Sequence, residues 1–388
     1  MAPGWCQPIS FGSCSIPAYN ADRSIGRFAM KTGLAIMLLS GASTLPGLGL
    51  AADKAGVSFS HKDWELACDN TGTCRAAGYQ VDGAEPAVSL LLVRDAGARQ
   101  PVSARVQLGS YAESDVALAA NVSHLVIKSG ARKLGTIDLV PGAQSSPLNG
   151  ATLAVILPAL LQASSVVFSS GKHDWTLSTA GASAVLLKMD EAQGRIGTVG
   201  ALVRKGGKSE NEVGKSTLAP VIAAAAVPRE SRQDIVLAPG QRGDLLQALR
   251  QVASRDDCPG MYPSAGQQAE DDLRVHRLSP DKLLASMVCE TYAYNQSAMF
   301  WVINPQAPFA PVSAGGDASS YSGGEISASH KGRGLGDCWS SSVHTWDGKQ
   351  FVWTKESTTG MCRLVAPGGA WELPTYVTSV RKSDGTLR

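Results

Sequence analysis

The sequence has little net charge and few aromatic residues. Its 35 basic and 33 acidic side chains leave a formal net charge of +2, and Phe, Trp and Tyr together make up 6%. The small basic excess lies near the N-terminus, where Arg23, Arg27 and Lys31 are accompanied only by Asp22. Overall charge therefore gives no reason to expect a nucleic-acid partner or binding to an anionic membrane surface.

The familiar motifs of catalysis and cofactor binding are also missing from the sequence. It contains no G-x-S-x-G, H-E-x-x-H, Walker or EF-hand pattern, and no C-x-x-C pair for zinc or redox chemistry. Residues 332–336 (GRGLG) superficially match a phosphate-binding loop, but no strand pattern precedes them and a hairpin pattern follows. A flexible turn is the better interpretation. We predict no catalytic residue, no cofactor and no metal site.

Residues 30–52 have the order of a secretory signal peptide. Lys31 supplies the positive start, an apolar stretch begins at Leu34, and small residues at 49–52 offer cleavage boundaries. A transmembrane anchor is the competing interpretation, but the apolar run is shorter than the roughly 18–20 residues that a bilayer requires. We expect a periplasmic or secreted protein with no stable membrane span after cleavage.

Residues 1–29 stand upstream of that signal and show no hydrophobic period. We expect them to be a gene-model extension ahead of a true start at Met30, the alternative being a long, atypical n-region. Cys6 and Cys14 belong to this stretch.

The other cysteines predict disulfides, because an even number in an exported chain favours them. Six cysteines allow many connectivities, and pairing of neighbours is the simplest because each pair falls within one local segment. Two of the pairs also flank turn signals, at 69–73 and 346–349. The predicted pairs are Cys68 with Cys74, Cys258 with Cys289, and Cys338 with Cys362.

We predict a strand-dominated α+β fold, stapled by disulfides and divided into two to three small units. A chain of 388 residues is too long for one average core, and 41 glycines and 20 prolines suit short elements joined by turns. The predicted division is an N-terminal mixed β/α domain (57–206), a linker (207–240), a small α/β unit (241–303), a loop or linker (304–330) and a C-terminal β unit (331–388). Helices are predicted over 149–162, 182–193, 244–252 and 280–287.

Some polar residues suggest chemistry but also have a simpler structural interpretation. His61 and His173 each lie near an Asp-Trp pair in two similar segments, 61–66 and 172–177, which suggests a general base. Solvation at a strand edge is the simpler interpretation, and the two segments are either equivalent strands of one domain or a chance match. Residues 190–191 and 193–195 suggest an exposed polar cluster at a helix end. It is either a catalytic dyad or, as we favour, a structural cap with an internal pair of Arg195 and a carboxylate.

Acidic pairs and tryptophans leave two further alternatives open. Residues 256–257 and 270–272 are acidic enough to attract calcium, although such pairs on surface loops are usually only solvated. Four tryptophans concentrate near the C-terminus, where they form either a platform for a carbohydrate or peptide or, as we favour, a small core. These are Trp339, Trp346, Trp353 and Trp371.

Several segments carry a family resemblance. Residues 62–79 (KDWELACDNTGTCRAAGY) and 181–195 (GASAVLLKMDEAQGR) resemble a family of exported bacterial proteins of unknown function, and shorter matches follow at 289–295 and 334–348. The first segment is also similar, more remotely, to the invasion-associated locus B family. The resemblance implies export but no catalytic residue.

Two hypotheses about function follow from these observations. The first is a periplasmic or secreted binding or interaction protein with no chemistry of its own, whose partner is unknown and is expected to be a cell-envelope protein or glycan. The alternative is a cell-envelope hydrolase with an unrecognised active site, using His173, Asp174 or Asp190. We favour the non-enzymatic hypothesis.

Overall fold

The computed structural model describes residues 56–162, 165–229, 234–264 and 269–387. The predicted signal peptide and the upstream extension lie outside these residues. Within them, no helix is both long and apolar enough to cross a membrane. The helices are α1 (Glu113–Ala120), α2 (Gly150–Gln162), α3 (Ala182–Ala192) and α4 (Pro239–Arg250).

Strands supply most of the regular structure, and the predicted strand-dominated α+β class is confirmed. In the first half of the chain they are β1 (Val57–His61), β2 (Trp64–Cys68), β3 (Cys74–Tyr79), β4 (Val88–Arg94), β5 (Val102–Leu108), β6 (His124–Ser129), β7 (Arg132–Asp138), β8 (Ser146–Leu148), β9 (Ser165–Ser170) and β10 (His173–Ser178). In the second half they are β11 (Val221–Ala223), β12 (Arg274–Arg277), β13 (Leu283–Thr291), β14 (Gln296–Ile303), β15 (Val312–Ala318), β16 (Ser320–Ser322), β17 (Glu325–Lys331), β18 (Trp339–Trp346), β19 (Phe351–Thr358), β20 (Leu373–Val377) and β21 (Ser379–Arg381).

Two sheets and two helices enclose the core of the first half. Sheet 1 has the order β1-β2-β3-β4-β5-β8 and sheet 2 the order β10-β9-β6-β7, with every neighbouring pair antiparallel. Buried apolar side chains of both sheets, including Trp64 and Trp175, meet those of α2 and α3. Short antiparallel connections suit the turn-rich sequence, because a hairpin needs only a few residues between strands.

Sheets 3 and 4 form the second half. Sheet 3 has the order β12-β13-β14-β15 and packs one face against α4. Its other face meets sheet 4, of order β16-β17-β18-β19-β20, through a cluster that includes Phe300, Ile326 and Trp346. A parallel pair of β11 and β21 completes the strand pairing.

The C-terminal segment returns to the outer face of sheet 1. Trp371 and Leu373 are buried there against Tyr79 and Leu91. The indole Nε1 of Trp371 donates a hydrogen bond to Ser89 Oγ at 2.7 Å. Sheet 1 is therefore covered on both faces, which explains why β2, β3 and β4 are buried along nearly their whole lengths.

The disulfides join the neighbouring pairs that the sequence favours. Cys68 and Cys74 face each other across β2 and β3 at the end of one hairpin. The second bond joins Cys258 to Cys289 on β13, and the third joins Cys338, next to β18, to Cys362. Each bond lies within or beside one sheet, so the disulfides constrain local segments of the chain.

Three predicted helices are confirmed as α2, α3 and α4, but the helix predicted over 280–287 is wrong. Residues 283–287 instead form the first part of β13 and are all buried. Strands β12 and β14 lie on either side of them within the sheet, and other layers cover both faces. A strand buried on both faces has a continuous apolar run, and its sequence does not distinguish it from a buried helix. Helix α1 has no counterpart among the predicted helices.

The predicted domain boundaries stay predictions. The described residues belong to one compact unit. Strand β11 lies within the range predicted as the first linker, 207–240, and β15, β16 and most of β17 lie within 304–330. A glycine-rich strand such as β15 has few of the β-branched and aromatic residues by which strands are usually recognised, with Val312 as the single example.

Candidate functional site

The two histidines with nearby Asp-Trp pairs lie at strand ends. His61 is exposed at the end of β1 and His173 is half-buried at the start of β10. The tryptophans of the two similar segments, Trp64 and Trp175, are both buried in the same core, and Trp64 Nε1 donates to the Ser178 carbonyl at 2.8 Å. The similarity between the segments therefore marks two core strands, β2 and β10, that lie close together. His173 begins β10 itself, whereas His61 ends the preceding strand β1.

Asp190 and Arg195 belong to a buried ionic network. The Asp190 carboxylate accepts hydrogen bonds from the backbone N–H groups of Leu202 and Val203. Arg195 is fully buried and donates from Nη1 to Glu210 Oε2 at 2.6 Å. Burial raises the pKa of Asp190, against the lowering effect of these N–H donors. The predicted exposure of this cluster is wrong, because Asp190 and Arg195 are buried and the carboxylate that pairs with Arg195 is Glu210. Because the partners come from the surrounding loops, the network organises those loops.

A second buried cluster joins sheet 1 to the segment that carries Cys362. The Tyr79 hydroxyl donates to Glu65 Oε1 at 2.6 Å, and the Met361 N–H donates to the same oxygen at 2.7 Å. Burial raises the pKa of Glu65 and holds the pKa of Tyr79 well above its usual range. Gly360 has a φ of +95°, and a Cβ there would lie 2.1 Å from the Tyr79 hydroxyl, so this turn requires glycine.

Among the described residues, one group of potential metal ligands is already engaged in other bonds. Asp337, Cys338 and Cys362 offer ligand atoms within 4.8 Å of one another. Both sulfurs are in a disulfide, and Arg333 binds the Asp337 carboxylate through two hydrogen bonds of 2.7 and 2.6 Å. In the acidic stretch 256–257, Asp257 Oδ2 accepts from the N–H and hydroxyl of Ser254. These groups therefore serve as structural contacts.

The C-terminal tryptophans divide between core and surface. Trp346 and Trp371 are buried. Trp339 is half-buried beneath the ammonium of Lys331. Trp353 is also half-buried and stacks on Tyr376, with ring centroids 4.0 Å apart and planes 7° from parallel. Its Nε1 donates to the Lys355 carbonyl, so the indole is held in one orientation.

Trp353 lines a polar groove on one face of sheet 4, which we call the serine groove. The groove has a volume of about 470 Å³. The cross-strand pairs His330–Ser340, Ser340–Thr358 and Ser342–Glu356 place their side chains on this face. The walls come from β15 on one side and from β1 and β20 on the other. The full lining is Gly56, Ser58, Gly316, Asp317, Ala328, His330, Ser340, Ser341, Ser342, Trp353, Glu356, Ser357, Thr358 and Thr375.

A bulge in β15 aims one carboxylate toward the groove. Two residues, Gly316 and Asp317, stand opposite the single residue Met299. Asp317 has a φ of +53°, in the left-handed region that non-glycine residues rarely adopt. Its Oδ1 lies 3.6 Å from Nε2 of His330. A carboxylate and an imidazole thus lie together in the serine groove, and Ser340 is the cross-strand neighbour of His330.

A larger cavity of about 740 Å³ lies elsewhere on the molecule. Its walls are 224–229, 323–325 and 382–384, together with Thr345 and Val380. Most of this lining is loop and chain end, and it includes the apolar run 224–228. Binding sites held by paired strands keep their geometry better than sites on loops. We therefore take the serine groove as the candidate functional site.

The sequence did not predict this site. Its residues are spread from 56 to 375, and they meet only through the register of sheet 4 and the β15 bulge. The one local signal is the run of hydroxyl residues, Ser340, Ser341 and Ser342, inside a strand that begins and ends with tryptophan. Of the residues that the sequence singled out, only Trp353 lines the groove.

The fold and its cysteine bonds define a disulfide-stapled, strand-rich α+β protein. The chain belongs to the family described as "Protein of unknown function (DUF1176)", whose model matches residues 58–378. It is 25% identical over 360 residues to the uncharacterized protein YpfG of Escherichia coli (strain K12), with 87% of this chain and 97% of that protein covered. No solved structure matches it. The predicted membership of a bacterial family of unknown function is confirmed, and the remoter resemblance to the invasion-associated locus B family stays a prediction.

Proposed function

We propose that the protein is an exported binding protein that holds a polar ligand, a glycan of the cell envelope, in the serine groove. The single observation that carries the proposal is the combination of a fixed, half-buried indole, Trp353, with a groove lined by hydroxyl side chains. No metal or cofactor enters this account.

The chemistry of the lining matches that of a sugar. A saccharide ring has apolar C–H faces and a rim of hydroxyls that both donate and accept hydrogen bonds. Serine and threonine hydroxyls also both donate and accept, and a flat indole offers an apolar surface. Since Tyr376 already holds Trp353 in place, little side-chain entropy is lost when a ring binds there.

Calorimetry with neutral oligosaccharides tests the proposal. Cellotetraose, maltotetraose and tetra-N-acetylchitotetraose are titrated into the purified full-length protein. We expect at least one to bind, and we expect Trp353→Leu to weaken that binding about tenfold by removing most of the ring contact. Trp339→Leu is the matched control, because Trp339 is a half-buried indole of the same sheet outside the groove.

A second variant guards against loss of folding in Trp353→Leu. Ser342→Tyr fills the groove from β18 and leaves the Trp353–Tyr376 stack in place. Both variants must keep the thermal unfolding midpoint within a few degrees for their binding data to count. Binding that survives both substitutions, or three oligosaccharides that all fail to bind, contradicts the proposal.

Export is part of the proposal and has its own support. The order of residues 30–52 is that of a signal peptide, and the disulfides fit an oxidising compartment outside the cytoplasm. Intact-mass analysis of the protein from the periplasmic and medium fractions should give a chain that starts between residues 50 and 53. A recovered chain that still contains Met30 contradicts export by this signal.

A hydrolase of the cell envelope is the second candidate function. The observation that favours it is the group formed by Asp317, His330 and its cross-strand neighbour Ser340 in the groove, which has the residue types of a serine nucleophile with its base and orienting acid. Incubation with the same oligosaccharides and with acylated sugars, followed by mass spectrometry, detects any cleavage. Cleavage lost in Ser340→Ala and His330→Gln supports the hydrolase, whereas intact ligands support a binding protein.

A further inference from the structure

The charged side chains that line the serine groove are mainly acidic. Among the described residues that line it, Asp317 and Glu356 are carboxylates, His330 is an imidazole, and none is a lysine or an arginine. The nearest lysines in sheet 4 are engaged elsewhere. Lys331 lies over the Trp339 ring, and Lys355 pairs with Glu372. The described lining of the groove therefore offers no lysine or arginine to pair with an anionic ligand.

The two carboxylates stand on opposite sides of the hydroxyl floor. Asp317 reaches in from β15 beside His330 on β17, whereas Glu356 projects from β19. Ser340 and Ser342 lie between them on β18. Asp317 is exposed for 78% of its side-chain area, and Glu356 is also exposed, so both can meet a ligand without a rearrangement of the sheet.

One of the two carboxylates is held by a hydrogen bond. Thr375 donates to Glu356 Oε2 at 3.1 Å, which orients that group. Asp317 Oδ1 lies 3.6 Å from His330 Nε2, close enough for an ion pair when the imidazole is protonated. A ligand ammonium, with its three N–H donors, matches a carboxylate that is already oriented in this way.

We propose that the serine groove selects saccharides that bear protonated amino groups, such as oligomers of unacetylated glucosamine, over neutral N-acetylated and anionic ones. This inference rests on the proposed function, because Trp353 and the hydroxyl floor bind the sugar rings. Asp317 and Glu356 add the preference for positive charge.

The test compares ligands that share one backbone. Calorimetry at about pH 6 and low salt measures binding of the glucosamine tetramer, its fully N-acetylated form and an oligogalacturonate of similar length. We expect the glucosamine tetramer to bind about tenfold more tightly than the N-acetylated form, as two partly exposed ion pairs would give. We expect oligogalacturonate not to bind, and we expect salt at about 0.5 M to reduce the preference, because screening weakens exposed charge pairs.

Two variants test whether the preference for aminated saccharides arises in the serine groove. Glu356→Gln and Asp317→Asn keep the shape of each side chain, and each should lower the ratio between the affinities for the aminated and the N-acetylated tetramer several-fold. Glu372→Gln is the matched control, since it removes an exposed carboxylate of the neighbouring chain segment that does not line the groove.

The outcomes separate this inference from the function on which it rests. Equal binding of the aminated and N-acetylated tetramers, or a preference that persists in both groove variants, overturns the charge selectivity and leaves glycan binding intact. A protein that binds none of the neutral or aminated oligomers overturns both. Tighter binding of oligogalacturonate than of the glucosamine tetramer also overturns the inference.

Discussion

The side-chain amide of Asn70 makes both hydrogen bonds to the backbone of Val377. Nδ2 donates to the Val377 carbonyl at 3.0 Å, and Oδ1 accepts from the Val377 N–H at 2.8 Å. Asn70 lies in the turn closed by the first disulfide, and Val377 ends β20, whose Thr375 lines the serine groove. One amide thus ties the turn of sheet 1 to a wall of the groove.

Replacing Asn70 by Ala tests how much these two hydrogen bonds contribute to stability. The change removes both hydrogen bonds and leaves the Val377 groups without these partners, so we expect a loss of about 1–3 kcal/mol in the free energy of unfolding. Urea denaturation of the full-length protein measures it, with Asn211→Ala as the control at an exposed position. A loss no greater than that of the control would show that these hydrogen bonds contribute nothing to the free energy of unfolding.

Glu65 predicts a pH dependence of stability. Burial raises its pKa above the ordinary value of 4.5. Between the unfolded and the folded pKa, the folded chain binds more protons than the unfolded chain, so the contribution of Glu65 to stability falls as the pH rises through that interval. Glu65→Gln does not titrate. The stability of the natural protein relative to Glu65→Gln should be greatest below about pH 4.5 and should decrease above it. Urea denaturation of both proteins across pH 4–8 measures this difference, and an increase with pH contradicts it.

The Arg195–Glu210 pair is expected to be costly to break. Arg195→Met removes the nearer of the two buried arginines that pair with Glu210, at 2.6 Å, and leaves Arg94 at 4.0 Å. Removal of one member of a buried ion pair typically costs about 3–5 kcal/mol, and we expect a loss near the lower end of that range. The exposed pair of Lys188 and Glu191 is the control, and Glu191→Gln should change stability by less than about 0.5 kcal/mol. Similar losses for the two variants would refute the structural role of the buried network.

The Cys338–Cys362 disulfide should stabilise the segment beside the groove. The two cysteines are 24 residues apart, and the chain-entropy model gives about 3.5 kcal/mol for a loop of this length. The double variant Cys338→Ser with Cys362→Ser should lose about that amount. Thiol titration of the denatured, unreduced protein recovered from the periplasm should find no free thiol, and two or more would contradict the pairing.

Parts of the fold can be predicted from local sequence, and the site cannot. The turn between Cys68 and Cys74 and the helical period of α3 depend on neighbouring residues, and both were predicted. The first five residues of β13 were mistaken for the end of a helix because burial on both faces removes their alternation. The serine groove depends on which strands pair and in what register, and on the β15 bulge at Asp317. Those are long-range features that no single segment encodes.

The central claim is that the serine groove is the binding site of the protein. Hydrogen–deuterium exchange of the full-length protein, with and without a saturating concentration of the tightest-binding oligosaccharide, tests it most directly. The account predicts slower exchange in peptides that cover β17, β18 and β19, and no such slowing in Ser342→Tyr at the same ligand concentration. Protection centred instead on 224–229 and 382–384, or unchanged exchange throughout the chain, would contradict it.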